Sequence, residues 1–193
     1  FWRDPSEVIN NNTGGVAVNL VWAHWEQRDT SGERCRDGEV AYDGHCFSVN
    51  GAVDEAIRTY SDAGVVVTGV VYGAPTWAQG GRACSTPAAG FEIFCAPANA
   101  NDYARFAGFL AYYYSGLTGH GRVADFVIHN EVNSNTWFDI GCGGGRSCDL
   151  NAWVNTYADN YVAAYDLIKA EQPHAKVLIS LDHHFAPASE RLN

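Results

Sequence analysis

Four short runs of β-branched and apolar residues, separated by helical patterns, constrain this chain more than any other feature. They are "GVAVNLVW" (Gly15 to Trp22), "GVVVTGVVY" (Gly64 to Tyr72), "RVADFVIH" (Arg122 to His129) and "KVLISLD" (Lys176 to Asp182). None sustains a polar alternation, which is how strands covered on both faces of a parallel sheet read. Between the runs, Val53, Ala56, Ile57 and Tyr60 follow helical spacing and stop at Gly64, a C-terminal cap. Tyr103, Phe106, Ala107, Leu110 and Tyr114 repeat the pattern, as do Trp153, Tyr157, Tyr161, Ala164 and Ile168 behind the cap Asp149. A first helix opens on Asp4 and Pro5, with Glu7 near the capping-box place.

The order is therefore helix, strand–helix three times, then strand, the pattern of right-handed βαβ units in an α/β fold. Helix-to-strand links are short. Strand-to-helix loops are long, rich in Gly, Trp and Cys, and hold all six cysteines. In a (β/α)8 TIM-type barrel such loops form the C-terminal rim that carries the active site. A doubly wound open sheet uses the same strand ends. No strand is followed by G-x-G-x-x-G or a phosphate-binding Gly-Lys loop, which favours the barrel and gives no reason to expect a cofactor. The span 1–193 reads as a single domain, without linker or repeat.

Twelve Lys and Arg against 22 Asp and Glu leave a net charge of -10, which repels a phosphate backbone and anionic membrane surfaces. No apolar run reaches the roughly 18 residues of a membrane span. There is no Met, so position 1 is not expected to be a translation start, and any signal peptide is expected to have been removed. The cysteines fall as close pairs, Cys35/Cys46, Cys84/Cys95 and Cys142/Cys148, and nearest-neighbour bridges are expected because each closes a short loop. Each bridge would add about 2–3 kcal/mol and would persist in an oxidising compartment, so secretion is expected.

The strand ends gather Trp22 and Trp25, then Trp77, then His129, Asn130, Glu131, Asn133 and Trp137, then His183 and His184. Rings beside carboxylates and amides suit a carbohydrate substrate, whose C–H faces stack while its hydroxyls take fixed polar partners. The four Trp are candidate platforms, and the three His and Asn133 candidate polar contacts. Crowding by Trp137 or Trp77 would desolvate Glu131 and raise its pKa, so that it holds a proton near neutral pH.

"HNEVN" (129–133) resembles the Asn-Glu pair that ends the fourth strand of clan A retaining glycoside hydrolases, with Val132 where Pro is frequent. By that resemblance Glu131 is the general acid/base and Asn130 bonds the sugar's 2-hydroxyl. The visible strands would then be the second to fifth of eight, a partial barrel. The resemblance also implies a nucleophile from the seventh strand, outside this chain, about 5–5.5 Å from Glu131. Glu26, Asp139 and Asp182 have no spacing that recommends them for that role. The chain would be an excerpt of a longer enzyme, or a half-barrel completed by a second chain. Two alternatives stay open: a non-catalytic carbohydrate-binding relic, and a metal-dependent hydrolase using His129, Asp182 and His184. The missing H-x-H or H-E-x-x-H spacing counts against a metal.

Overall fold

A computed structural model describes residues 4–84, 94–142 and 147–182. In chain order its elements are α1 (Pro5–Asn10), β1 (Gly15–Val21), β2 (Glu39–Tyr42), β3 (His45–Ser48), α2 (Gly51–Asp62), β4 (Val66–Tyr72), α3 (Ala100–Tyr113), β5 (Asp125–Ile128), α4 (Leu150–Glu171) and β6 (Lys176–Leu178). β1, β4, β5 and β6 form one parallel sheet in that spatial order. Strands adding in sequence, with α2, α3 and α4 following β1, β4 and β5 on the same side, make this a partial (β/α)8 barrel. A doubly wound sheet would carry helices on both faces.

Local chemistry sets the helix ends. Asp4, Asn50, Asn99 and Asp149 each accept backbone N–H bonds in the first turn of α1, α2, α3 and α4. α2 closes on Gly64 at φ 76, with Val65 N bonded to Tyr60 O and Gly64 N to Ser61 O, the paired bonds of a Schellman cap.

The core lies between sheet and helices. Val18 and Leu20 of β1, Val67 and Val71 of β4, and Phe126 and Ile128 of β5 are buried against Ile57, Phe106, Leu110 and Ile168. Gly69 belongs to this side, where a Cβ would come within 2.8 Å of Leu20 Cδ1. The intervening residues face the other way and stay open: Ala17 and Asn19 are exposed, Thr68, Val70, Asp125 and Val127 partly so, and Leu178 is 38% exposed. The expectation of strands buried on both faces is thus corrected for the described residues. The apolar runs suit a sheet covered twice, and here the helices cover one face.

The long loop after β1 contains the β2–β3 hairpin, which the sequence reading did not single out. Its two-residue turn, Asp43 and Gly44, holds both residues at positive φ, which is why Asp-Gly suits it. Phe47 of the hairpin is fully buried and stacks on Phe109 at 4.2 Å. The chain carries the bridges Cys35–Cys46, Cys84–Cys95 and Cys142–Cys148. They fit an oxidising compartment. Among the described residues no helix is long and apolar enough to cross a membrane. β6 stops at Leu178, short of the expected Asp182.

Candidate active site

β5 delivers its chain to the rim and then turns sharply. His129 and Glu131 both sit in left-handed conformations, at φ 58 and φ 43, which non-glycine residues seldom adopt. The turn is over-determined by its surroundings. His129 N donates to Val71 O at 2.9 Å, and Tyr103 Oη donates to the same carbonyl at 2.7 Å. Val132 N donates to Ser180 O, a bond Pro could not make, which accounts locally for Val at this place. Trp153 Nε1 donates to Val132 O, and Asp182 N to Asn133 Oδ1 at 2.7 Å. The β5 loop is thereby sewn to α4 and to the chain beyond β6.

Glu131 emerges from this turn partly exposed, and among the described residues its carboxylate has no hydrogen-bond partner. Asn130 beside it is also partly exposed, and its Oδ1 accepts from Ser180 Oγ at 3.3 Å. That bond engages Oδ1 and leaves the amide Nδ2 as a donor. The expected apolar crowding of Glu131 is corrected. Its side chain stands at the rim, not in a desolvated pocket, because the open sheet face leaves solvent beside it.

The histidine is a second correction. His129 is 3% exposed, its ring stacked on Tyr103 at 4.2 Å and set against Phe138 at 4.7 Å, away from the rim. Burial lowers its pKa from 6.5 to about 3, opposed by the neighbouring side-chain oxygen of Asn160, which favours the protonated ring. The ring is neutral, and its burial among these rings turns it away from both a substrate and the metal of the alternative reading. Trp22 and Trp25 are corrected likewise. Both are buried, Trp22 among Trp77, Tyr103 and Phe106, and Trp25 against Phe109 and Tyr114, so neither offers a face for stacking.

Trp77 and Trp137 remain partly exposed at the rim. Trp137 lies edge-on to Phe94 at 4.7 Å and to Tyr72 at 5.8 Å. Phe94, which the sequence reading passed over, shares this aromatic corner. The corner is rigid because the loops after β4 and β5 are zipped together: Asp139 N donates to Phe94 O and Ala96 N to Asp139 O, between two disulfides. Asn133 is partly exposed, with its Oδ1 committed to Asp182 N. His183 and His184 lie outside the described residues.

The other carboxylates at the strand ends are occupied. Glu26 is buried, accepting from Trp22 Nε1 at 2.9 Å and Thr30 Oγ1 at 2.8 Å, with His45 Nδ1 at 2.7 Å. Asp139 is fully buried and accepts from Gly141 N and Cys142 N. Both hold loops together, and neither is placed to attack a substrate.

Parallel strands in sequence order with outer helices on one face define a partial (β/α)8 barrel. Comparison with solved structures agrees. The chain is similar to beta-glycosidase BGL167, with a TM-score of 0.59 and 12% identity over 98% of this chain and 49% of that one. It is also similar to a family 39 glycoside hydrolase from the gut symbiont Bacteroides cellulosilyticus WH2, with a TM-score of 0.50 and 13% identity over 91% of this chain and 28% of that one. At such identities the likeness is one of fold, and the chain spans about half or less of the length of these proteins. The chain belongs to DUF5722, a family described as being of unknown function, which it matches over residues 3–192. A search of curated proteins finds no match.

Proposed function

We propose that this chain is the acid/base-bearing part of a secreted glycoside hydrolase that cleaves O-glycosidic bonds with retention. The observation that carries the reading is the strand end itself. A non-glycine turn held in an unfavourable backbone conformation by bonds to β4, to α3 and to the chain beyond β6 projects Asn130 and Glu131 at the rim of a glycosidase-like barrel. Backbone strain of this kind costs about 1–3 kcal/mol per residue and persists where the surroundings enforce it, often at functional sites.

In the mechanism, Glu131 gives its proton to the departing glycosidic oxygen and then, as carboxylate, takes one from the water that releases the sugar. Asn130 Nδ2, oriented through Ser180, donates to the 2-hydroxyl. The partly exposed Trp77 and the corner of Trp137 and Phe94 are the stacking surfaces. The nucleophile comes from outside residues 1–193, on strands that complete the barrel.

The test is Glu131→Gln on the completed barrel, with aryl glycosides of good and poor leaving groups. A poor leaving group needs the proton, so hydrolysis should fall by about 10²–10⁴ there and much less on the activated substrate, with ligand affinity retained. Equal loss on both substrates, or no loss, would overturn the assignment. Binding without hydrolysis in the unsubstituted protein would support the carbohydrate-binding relic instead.

A further inference from the structure

Tyr72 is the last residue of β4, paired in register with Val21 of β1. Along β4, Val67 and Val71 are buried against the helices, while Thr68 and Val70 lie on the open concave face. Alternation therefore carries Tyr72 to the concave face. The pairing persists through Tyr72, so the alternation holds to the strand's end, and a left-handed residue follows only at Gly73, φ 83. Val71 pairs with Ile128, which sets Tyr72 level with His129. The histidine has left that face for the helix layer, and Tyr72 keeps its ring there, one strand over from the turn that presents Asn130 and Glu131.

Lower on this face Ala17 and Asn19 are exposed, whereas Val21 and Tyr72 are each only 8% exposed. The Tyr72 ring is held from two loops. Phe94 lies nearly parallel to it, 11° off and 6.2 Å away, and Trp137 stands edge-on at 5.8 Å. Its hydroxyl is not held. Tyr103, Tyr157 and Tyr161 of the helices spend theirs on the strand carbonyls of Val71, Ile128 and Val177. The Tyr72 hydroxyl has no hydrogen-bond partner among the described residues, yet it is not enclosed. A polar atom on a side chain nine-tenths buried, rigid and unpaired, is costly unless something outside the fold meets it.

We propose that Tyr72 is a substrate-binding residue of this site, its hydroxyl pairing with one hydroxyl of a sugar ring that rests against the corner of Trp137 and Phe94. Burial holds the phenol's pKa above its ordinary value, so it stays protonated and both donates and accepts, as an alcohol does. Because the ring is fixed, the contact selects: a sugar lacking the matching hydroxyl leaves the phenol bare. The inference rests on the glycosidase reading for the class of ligand, and not on the chemistry of Glu131.

The experiment reads affinity by calorimetry on the completed barrel carrying Glu131→Gln, so that no ligand is turned over. The ligands are p-nitrophenyl glycosides of the common hexoses and pentoses, then each monodeoxy form of the tightest binder. Tyr72→Phe, added to that protein, deletes one oxygen and keeps the ring. It should weaken binding of the parent glycoside about tenfold, and one monodeoxy form should bind equally with and without the substitution. The melting temperature should move by no more than about 1 °C, since the hydroxyl has no protein partner to lose. Three results overturn the proposal: affinities that the substitution leaves unchanged, an absence of any binding included; a loss of the same size on every monodeoxy form, which would place the hydroxyl against the protein; or a melting temperature lowered by several degrees. Failure of Glu131 as the acid is seen separately, in hydrolysis by the protein with Glu131 intact, and leaves these affinities readable.

Discussion

Acid should find this protein's weak point at His129. The unfolded imidazole takes its proton near pH 6.5, whereas in the fold burial between Tyr103 and Phe138 delays that step to about 3. Between those two values the unfolded chain binds more protons, so stability rises with pH. The contribution is complete above about pH 6.5 and is lost as pH falls toward 3. Each pH unit well inside the window is worth about 1.4 kcal/mol and half that at its upper edge, so moving from pH 6.5 to 4.5 should cost about 2 kcal/mol through this one residue. His129→Phe keeps a ring on Tyr103 and has no proton to take. Carboxylates titrate in both proteins, so the difference between their denaturant-unfolding free energies isolates the histidine. The variant should gain on the parent by about 2 kcal/mol between pH 6.5 and 4.5, whatever their offset at neutral pH. Parallel pH curves would show that the ring is protonated in the fold, and the account of its burial would be wrong.

Glu26→Ala removes the acceptor shared by Trp22, Thr30 and His45, all buried, and should destabilise by about 3–5 kcal/mol in the same assay, while Glu26→Gln, which keeps the volume, should cost less. A cost under about 1 kcal/mol for the alanine would mean that the cluster is solvated. Gly121 stands at φ +80 with Arg58 Cα 2.7 Å from where a Cβ would be, so Gly121→Ala should lower the melting temperature through strain as well as contact. At about 1–3 kcal/mol the drop should be several degrees, and an unchanged melting temperature would refute the close approach of this loop to α2.

The fold was legible where one local rule acts alone. Asp4, Asp149 and Gly64 cap the helices their chemistry indicates, and the cysteines bridge within their loops. The hairpin escaped notice although Asp43-Gly44 signals it, because its strands have four residues each and only Phe47 and its neighbours are deeply buried. The open sheet face could not be read at all. Val66, Val70 and Leu178 have the side chains of a covered face, and a sequence records what a surface is built to meet, not whether its partner lies within these residues.

At the site the failure has a different cause, one of parity. Phe126 and Ile128 point to the helices and Asp125 and Val127 to the open face, so a regular strand continued to 131 would turn His129 and Glu131 together toward the barrel interior. The left-handed conformation at His129 breaks that alternation at one residue. Its ring swings into the helix layer, beside Tyr103 and Tyr157, and there acts as a neutral peg. A second left-handed residue at 131 and the bond from Val132 N to Ser180 O then set the direction in which Asn130 and Glu131 leave the strand. Neither a period of two nor a motif match contains this information, since both assume the backbone goes on as it began. The same turn explains why a histidine two residues before a candidate acid reads as a substrate contact: alternation at a strand end predicts a shared face only while the strand persists.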